Sequence, residues 1–559
     1  MRSFLLGLVA GVTLVPLLAL GIAWGVIAWR ERPPKIEPGT TLVLRLNGVI
    51  PEKEPASWLP FDERETLTTF GLWRTLANAA ADPRIAALMV EPEQPDAGWA
   101  KLAEIRSAIA AFARTGKPVA AFLRSANTRD YYLASAAGRI AIAPRDHLNV
   151  KGLRAELVYM RQAMDKLGIL PEFETFGRYK DAPDLLTRSS MRPETRQLVE
   201  DLLEARLEEF LGRVAEARKK TADELRRLLD EGPYLAEPAR KAGLVDAVEF
   251  EDQAREHLRR RLNQEKLRVL SAARYGRVPA GHAGLSSGHR IALLAAEGDI
   301  FRGGLPLPGQ RLDPEEFRGW VRKIRQDAAI KAVILRIDSP GGDAIGSDEI
   351  LRELELLAAV KPLLVSMSDV AASGGYALAL AGARILAHPQ TLTGSIGVFY
   401  GKLSFAGLYE KLGIRKEVLV RGQHAAMDSD ARALSPAERN KLREMLQTMY
   451  TDFVAQVARA RRRKPAEIEI AAQGRVWLGR DALSHGLVDE TGGFERAIQA
   501  ARELAKIPAS ESIRIEPFPA REHWLRAAWR WTQTAPPAAF SSLLQERFWK
   551  RLAVEIEIR

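Results

Sequence analysis

With 559 residues, 47% of them hydrophobic and 27% charged, the chain has a globular composition. It is too long for one hydrophobic core, so at least two domains are expected, and a disordered or collagen-like protein is excluded. The absence of cysteine removes disulfides, thiolate metal sites, iron–sulfur clusters and a thiol nucleophile, leaving Ser, Thr, Lys, Asp or Glu for covalent chemistry. The net charge of +11 arises from 82 Lys and Arg against 71 Asp and Glu scattered along the chain. That pattern suits a solvated surface with a mild attraction to anionic lipid, not a nucleic-acid partner.

Residues 3–29 form an uncharged apolar run. At about 1.5 Å per residue it can cross a hydrocarbon core of roughly 30 Å, and it exceeds the roughly 7–15 apolar residues of a cleaved signal peptide. Residues 1–30 are therefore expected to be a single uncleaved transmembrane anchor, with Trp24 and Trp29 at its distal interface. Arg2 precedes the run, while Arg30, Arg32 and Lys35 follow it, partly offset by Glu31 and Glu37, so flanking charge leaves the orientation open. Residues 31–40, RERPPKIEPG, read as a short stiff linker.

From there the chain repeats itself. LNGVI at 46–50 matches AEGDI at 296–300; the stretch 115–144 resembles 359–389, with Tyr132 set against Tyr376 and Pro144 against Pro389. KLGI recurs at 166–169 and 411–414, GLVD at 243–246 and 486–489, and helices opened by Pro193 and Pro436 correspond. The offset stays between 243 and 250 throughout, which predicts two homologous domains, 41–285 and 286–520. Each alternates brief apolar runs with amphipathic segments. In the second, RIALLAAEGDI, KAVILRID, KPLLVSMSD and RILAHP read as buried strands, and 348–359 and 374–383 as helices. The expected fold is α/β with largely parallel strands and crossover helices. Residues 521–559 carry tryptophans interleaved with arginines and read as an amphipathic tail that touches the membrane or packs on protein.

Three segments of the second copy could carry chemistry. RIDSPGG (336–342) runs an apolar strand into a turn whose paired glycines, Gly341 and Gly342, expose backbone N–H groups, as an oxyanion site or merely a tight turn. In DVAASGGYALALAG (369–382), Ser373 stands between strand and helix ahead of Gly374 and Gly375, placed to be a nucleophile or a helix N-cap. TLTGSIGVFYG (391–401) carries Ser395. The first copy sets Arg129 against Ser373 and EPEQPD (91–96) against the glycine turn, yet it holds Lys180 in GRYKDAPD where the second has Ala425. Two copies keeping complementary halves predict one composite site, a Ser from the second and a Lys from the first.

Together, the anchor, the tandem domains, GRYKDAPD, IDSPGG, ASGGY and TGSIGV resemble the long form of the signal peptide peptidase A family. These are membrane-anchored serine proteases of the Clp/crotonase superfamily. The resemblance implies that Ser373 is the nucleophile, Lys180 the general base and Ser395 the residue that hydrogen-bonds the Lys. It places the oxyanion donors in the Gly341-Gly342 turn and at Gly374. It further implies a homotetrameric bowl on the extracytoplasmic side of a bacterial inner membrane, needing no cofactor or metal and cutting remnant signal peptides and other unfolded apolar peptides. A Ser/Lys pair works only with a neutral amine, so Lys180 is expected at a buried domain seam without a salt bridge. Alternatives are a Ser-His-Asp protease using His388, fifteen residues after Ser373, a crotonase-like acyl-CoA enzyme, and a non-enzymatic membrane scaffold.

Overall fold

The computed structural model describes residues 33–54, 67–303 and 311–519. The expected anchor at 1–30 and the tail at 521–559 lie outside the described residues. Among the described residues, no helix is long and apolar enough to cross a membrane.

Each half is built on a parallel sheet. The first half contributes β1 (Thr40–Val49), β2 (Ile85–Asp96), α1 (Trp99–Ala113), β3 (Val119–Leu123), α2 (Thr128–Ala134), β4 (Arg139–Ile142), β5 (Leu170–Phe176), α3 (Pro193–Arg218), β6 (Ala247–Val248) and β7 (Val269–Ser271). Six of these strands form an all-parallel sheet in the order β7-β1-β2-β3-β4-β6. The second half contributes β8 (His289–Glu297), β9 (Ile330–Ser339), β10 (Leu363–Ala372), α4 (Gly374–Ala379), β11 (Arg384–Ala387), β12 (Leu392–Gly394), β13 (Val398–Ser404), α5 (Pro436–Arg461), β14 (Val476–Leu478) and β15 (Ile513–Phe518). Its order is β14-β12-β10-β9-β8-β15, with β11 also on β10; only the β14–β12 pair is antiparallel. Strands such as β10 are buried along nearly their whole length because both faces are covered, as in a parallel sheet between helices.

The two halves have separate cores, one around Leu44, Leu88, Ile109 and Tyr131, the other around Leu294, Leu335, Val365 and Tyr376. Several contacts among the described residues join them. Phe70 of the first half packs among Ile291, Ile334, Leu364 and Phe494 of the second. β5 and β13 form an antiparallel ribbon across the seam, from Phe176 opposite Val398 to Leu170 opposite Ser404. A buried charge network also crosses between the halves. Arg336 reaches Glu104 at 2.6 Å and Glu52 at 3.1 Å, and Lys101 reaches Asp338 at 2.7 Å. Asp369 accepts the N–H groups of Gly98 and Lys101, at the start of α1. Such a network contributes less net stability than its contacts suggest, but removing one member costs several kcal/mol, about 3–5, and it therefore fixes how the halves dock.

The structure corrects the register of the repeat. Tyr131, not Tyr132, corresponds to Tyr376: its hydroxyl donates to Leu244 O at 2.7 Å as that of Tyr376 donates to Leu487 O at 2.8 Å. The N–H groups of Ile140 and Ile385 likewise donate to Asp246 and Asp489. The counterpart of Ser373 is therefore Thr128, and Arg129 stands at the place of Gly374. Two adjacent tyrosines make this shift by one invisible to a sequence match. The helix expected over 374–383 is also shorter, ending at Ala379.

Candidate active site

A register shift between Ile337 and Ser339 bends the β9–β10 pair, and the last residues of β10 leave β11 to pair with β12. Ser373 follows immediately, at φ 54° and ψ −120°, a backbone region that costs a non-glycine residue about 1–3 kcal/mol. Its N–H is held by Gly394 O at 2.9 Å. The side chain makes no capping hydrogen bond to α4, so the N-cap reading fails. Instead Oγ lies 3.1 Å from the Nζ of Lys180.

Lys180 arrives from the other half, on the loop after β5. Its side chain is buried, and Nζ also lies 3.0 Å from both the Oγ and the carbonyl O of Ser395. Ser395 is itself left-handed, at φ 51°, and its N–H donates to Arg475 O. No carboxylate pairs with the amine among the described residues: neighbouring Asp181 accepts instead from the Thr195 hydroxyl at 2.7 Å. Burial pushes Lys180 down to about 8, with Asp181 drawing it slightly back up. A neutral amine fits the three contacts, having two N–H bonds for the oxygens of Ser395 and one lone pair for the Ser373 hydroxyl.

The turn after β9 supplies N–H donors, though not all that the sequence offers. Gly341 (φ 102°) and Gly342 (φ 143°) adopt conformations that favour glycine, and a Cβ on Gly341 would meet Gly374 N at 2.6 Å. The Gly341 N–H, however, donates to Ser339 Oγ at 3.2 Å, so this member of the expected set is already engaged. The N–H groups of Gly342 and Gly374 have no partner among the described residues.

His388 does not join this group. It is half-buried, its Nδ1 accepts from the Gln390 N–H at 3.2 Å, and desolvation pushes its titration well below the ordinary imidazole range. No hydrogen bond connects it to Ser373 among the described residues.

The same place in the first half is closed. Thr128 stands for Ser373, its hydroxyl donating to Gly152 O at 3.3 Å. Asp130 stands for Gly375, and its carboxylate accepts the N–H groups of Gln94 at 2.8 Å and Asn127 at 2.9 Å. Ala425, the counterpart of Lys180, is exposed on a loop. Sequence reasoning missed Ser339, which engages Gly341, and the turn at Gln473-Gly474, which abuts Lys180; nothing in their local sequence marks them.

Comparison with known proteins decides the family. Residues 111–265 and 355–508 each match the model of peptidase family S49, and together these spans make up more than half of the chain. The chain belongs to peptidase family S49. It is 34% identical over 488 residues to the chloroplastic serine protease SPPA of Arabidopsis thaliana, covering 86% of this chain and 71% of that protein. It is 30% identical over 461 residues to Protease 4 of Salmonella typhi, covering 80% and 73%. Among solved structures, ClpP1 from Listeria monocytogenes is similar at 13% identity with a TM-score of 0.23, over 36% of this chain and 91% of that one. The S49 protein is a serine peptidase, a hydrolase of mixed α/β fold with two tandem S49 domains.

Proposed function

We propose that this S49 peptidase is an endopeptidase whose nucleophile is Ser373 and whose general base is Lys180, one from each domain, 286–520 and 41–285. The observation that carries this reading is the buried, unpaired amine of Lys180 between Ser373 Oγ and the two oxygens of Ser395. Neutral Lys180 takes the proton of Ser373 as Oγ bonds to the peptide carbonyl carbon and the C=O electron pair moves onto oxygen. The N–H groups of Gly342 and Gly374 stabilise that oxyanion, each contributing about 3–4 kcal/mol to the transition state. Collapse breaks the C–N bond, and the Lys180 ammonium gives its proton to the leaving amine. Water, deprotonated by the same amine, then releases the acyl group and restores Ser373. Ser395 keeps the amine on the line to Oγ.

The substrates we assign are remnant signal peptides and other unfolded apolar peptides. The uncharged run at 3–29 supports a single-pass anchor, and the short linker after it would hold the body near lipid, where such peptides are released. The place we assign is the extracytoplasmic face of a bacterial inner membrane, as a homotetramer, in line with the family resemblance. The test is hydrolysis of a fluorogenic apolar peptide by protein lacking residues 1–30 and by its folded Ser373→Ala, Lys180→Ala and His388→Ala variants. The first two are expected to be inactive and the third active. Activity lost in His388→Ala and kept in Lys180→Ala would refute the reading.

A further inference from the structure

The dyad spans two domains, so something must hold the Lys180 loop in register with Ser373, and one turn touches both sides. Gly474 donates its N–H to Ile396 O at 2.7 Å, and Arg475 O accepts the N–H of Ser395 at 2.8 Å, which ties the turn to the segment carrying Ser395. On its other side, Gln473 O accepts the Tyr179 N–H at 2.7 Å, and Gln473 Oε1 accepts the Arg178 N–H at 3.1 Å. There is no spare room between these surfaces. A Cβ on Gly474, which sits at φ 73°, would lie 2.6 Å from Lys180 N and 2.7 Å from Lys180 Cβ. A Cβ on Gly177 would lie 2.7 Å from the Gln473 carbonyl carbon.

The turn is itself braced. Gln473 holds a left-handed φ of 55° while its N–H donates to the Tyr450 hydroxyl at 3.3 Å and its Nε2 to that oxygen at 3.2 Å. The Tyr450 hydroxyl donates onward to Glu469 Oε1 at 2.9 Å, and Gln473 Nε2 also donates to Glu469. Tyr450 lies on α5, its ring 6.4 Å from that of Phe176 at the end of β5. The brace thus begins on the strand that leads into the Lys180 loop and returns to that loop through the turn.

We infer that the Gln473-Gly474 turn, braced by Tyr450, is a positioning element that sets the Lys180 amine against Ser373 and keeps water from it. The inference rests on the general-base reading above. Loosening the turn displaces Nζ from Oγ and admits water to the amine, which favours its charged form. Turnover should therefore fall while substrate affinity holds, and the acid limb of the pH profile should move upward, toward the range of an ordinary lysine.

The experiment measures kcat, KM and the pH dependence of kcat/KM on an apolar fluorogenic peptide for Gly474→Ala, Tyr450→Phe and Lys180→Ala, using the whole chain. Gly474→Ala is expected to lose about 100-fold in kcat, the scale of a misplacement near 1 Å. Tyr450→Phe, which leaves the backbone of the turn intact, is expected to lose about tenfold and to raise the acid limb by about one pH unit, with KM unchanged. Partial unfolding would lower the amplitude of the profile without moving its limb. Should Gly474→Ala fail to fold, Tyr450→Phe decides alone. A wild-type limb and kcat in Tyr450→Phe, with Lys180→Ala inactive, would overturn the positioning role and leave the base intact. Activity kept in Lys180→Ala would overturn both.

Discussion

The two halves share one fold and differ where chemistry would be. In the second, Ser373 sits on strained backbone with its hydroxyl turned away from the helix it precedes, and the N–H groups of Gly342 and Gly374 stay unbonded among the described residues. In the first, Thr128 bonds the Gly152 carbonyl, the Arg129 N–H that stands for that of Gly374 donates to Asn127 Oδ1, and the Asp130 carboxylate takes up the Gln94 and Asn127 N–H groups. A site kept unsatisfied is ready for a substrate; a site that satisfies its own donors is scaffold. The first half nonetheless supplies the amine, and a buried seam suits an amine that must be uncharged. Division of the pair between halves places Lys180 where both domains desolvate it.

This contrast can be broken in graded ways. The largest effect belongs to the dyad: Ser373→Ala or Lys180→Ala should each lower kcat by more than about 1,000-fold in a peptide hydrolysis assay, the scale of losing a nucleophile or its base. Next comes the turn. Gly342→Ala places a Cβ 2.1 Å from Ile300 O and disturbs an open N–H, so kcat should drop by about 100-fold or more.

How much of this was readable in the sequence depends on what marked it. The meeting of Ser373 and Lys180 was legible because GRYKDAPD and ASGGY are unlike their counterparts, and a difference between repeats singles out residues that packing does not demand. The parallel sheets were legible from apolar runs with helical segments between them. Three features were not. The register at Tyr131 was hidden by a second tyrosine beside it. The engagement of the Gly341 N–H depends on where the Ser339 hydroxyl points, which no spacing encodes. Arg336 lies in a run that reads as a buried strand, but its partners Glu52 and Glu104 are more than 200 residues away in sequence, and only the docking of the halves brings them together.

Two smaller effects sharpen the comparison. Holding Lys180 near 8 instead of its ordinary 10.5 costs the folded protein stability at neutral pH, about 3 kcal/mol at 1.36 kcal/mol per unit. Lys180→Met should therefore be inactive yet more stable in urea at pH 7, by up to about that amount. Its advantage should be complete below pH 8 and fade toward 10.5, because there the unfolded wild-type chain keeps a proton that the folded chain has lost. Smallest of all, Thr128→Ala should leave kcat/KM within about twofold of wild type, since its hydroxyl serves only a local contact. A large loss there would mean that the first half keeps chemistry of its own.

The central claim, that a buried neutral Lys180 activates Ser373, is tested most directly by the pH dependence of Ser373 modification by a serine-directed peptidyl phosphonate. The rate should rise with pH through a midpoint near 8 and be lost in Lys180→Ala. A midpoint near 6 to 7 that persists in Lys180→Ala would point to a histidine base and contradict it.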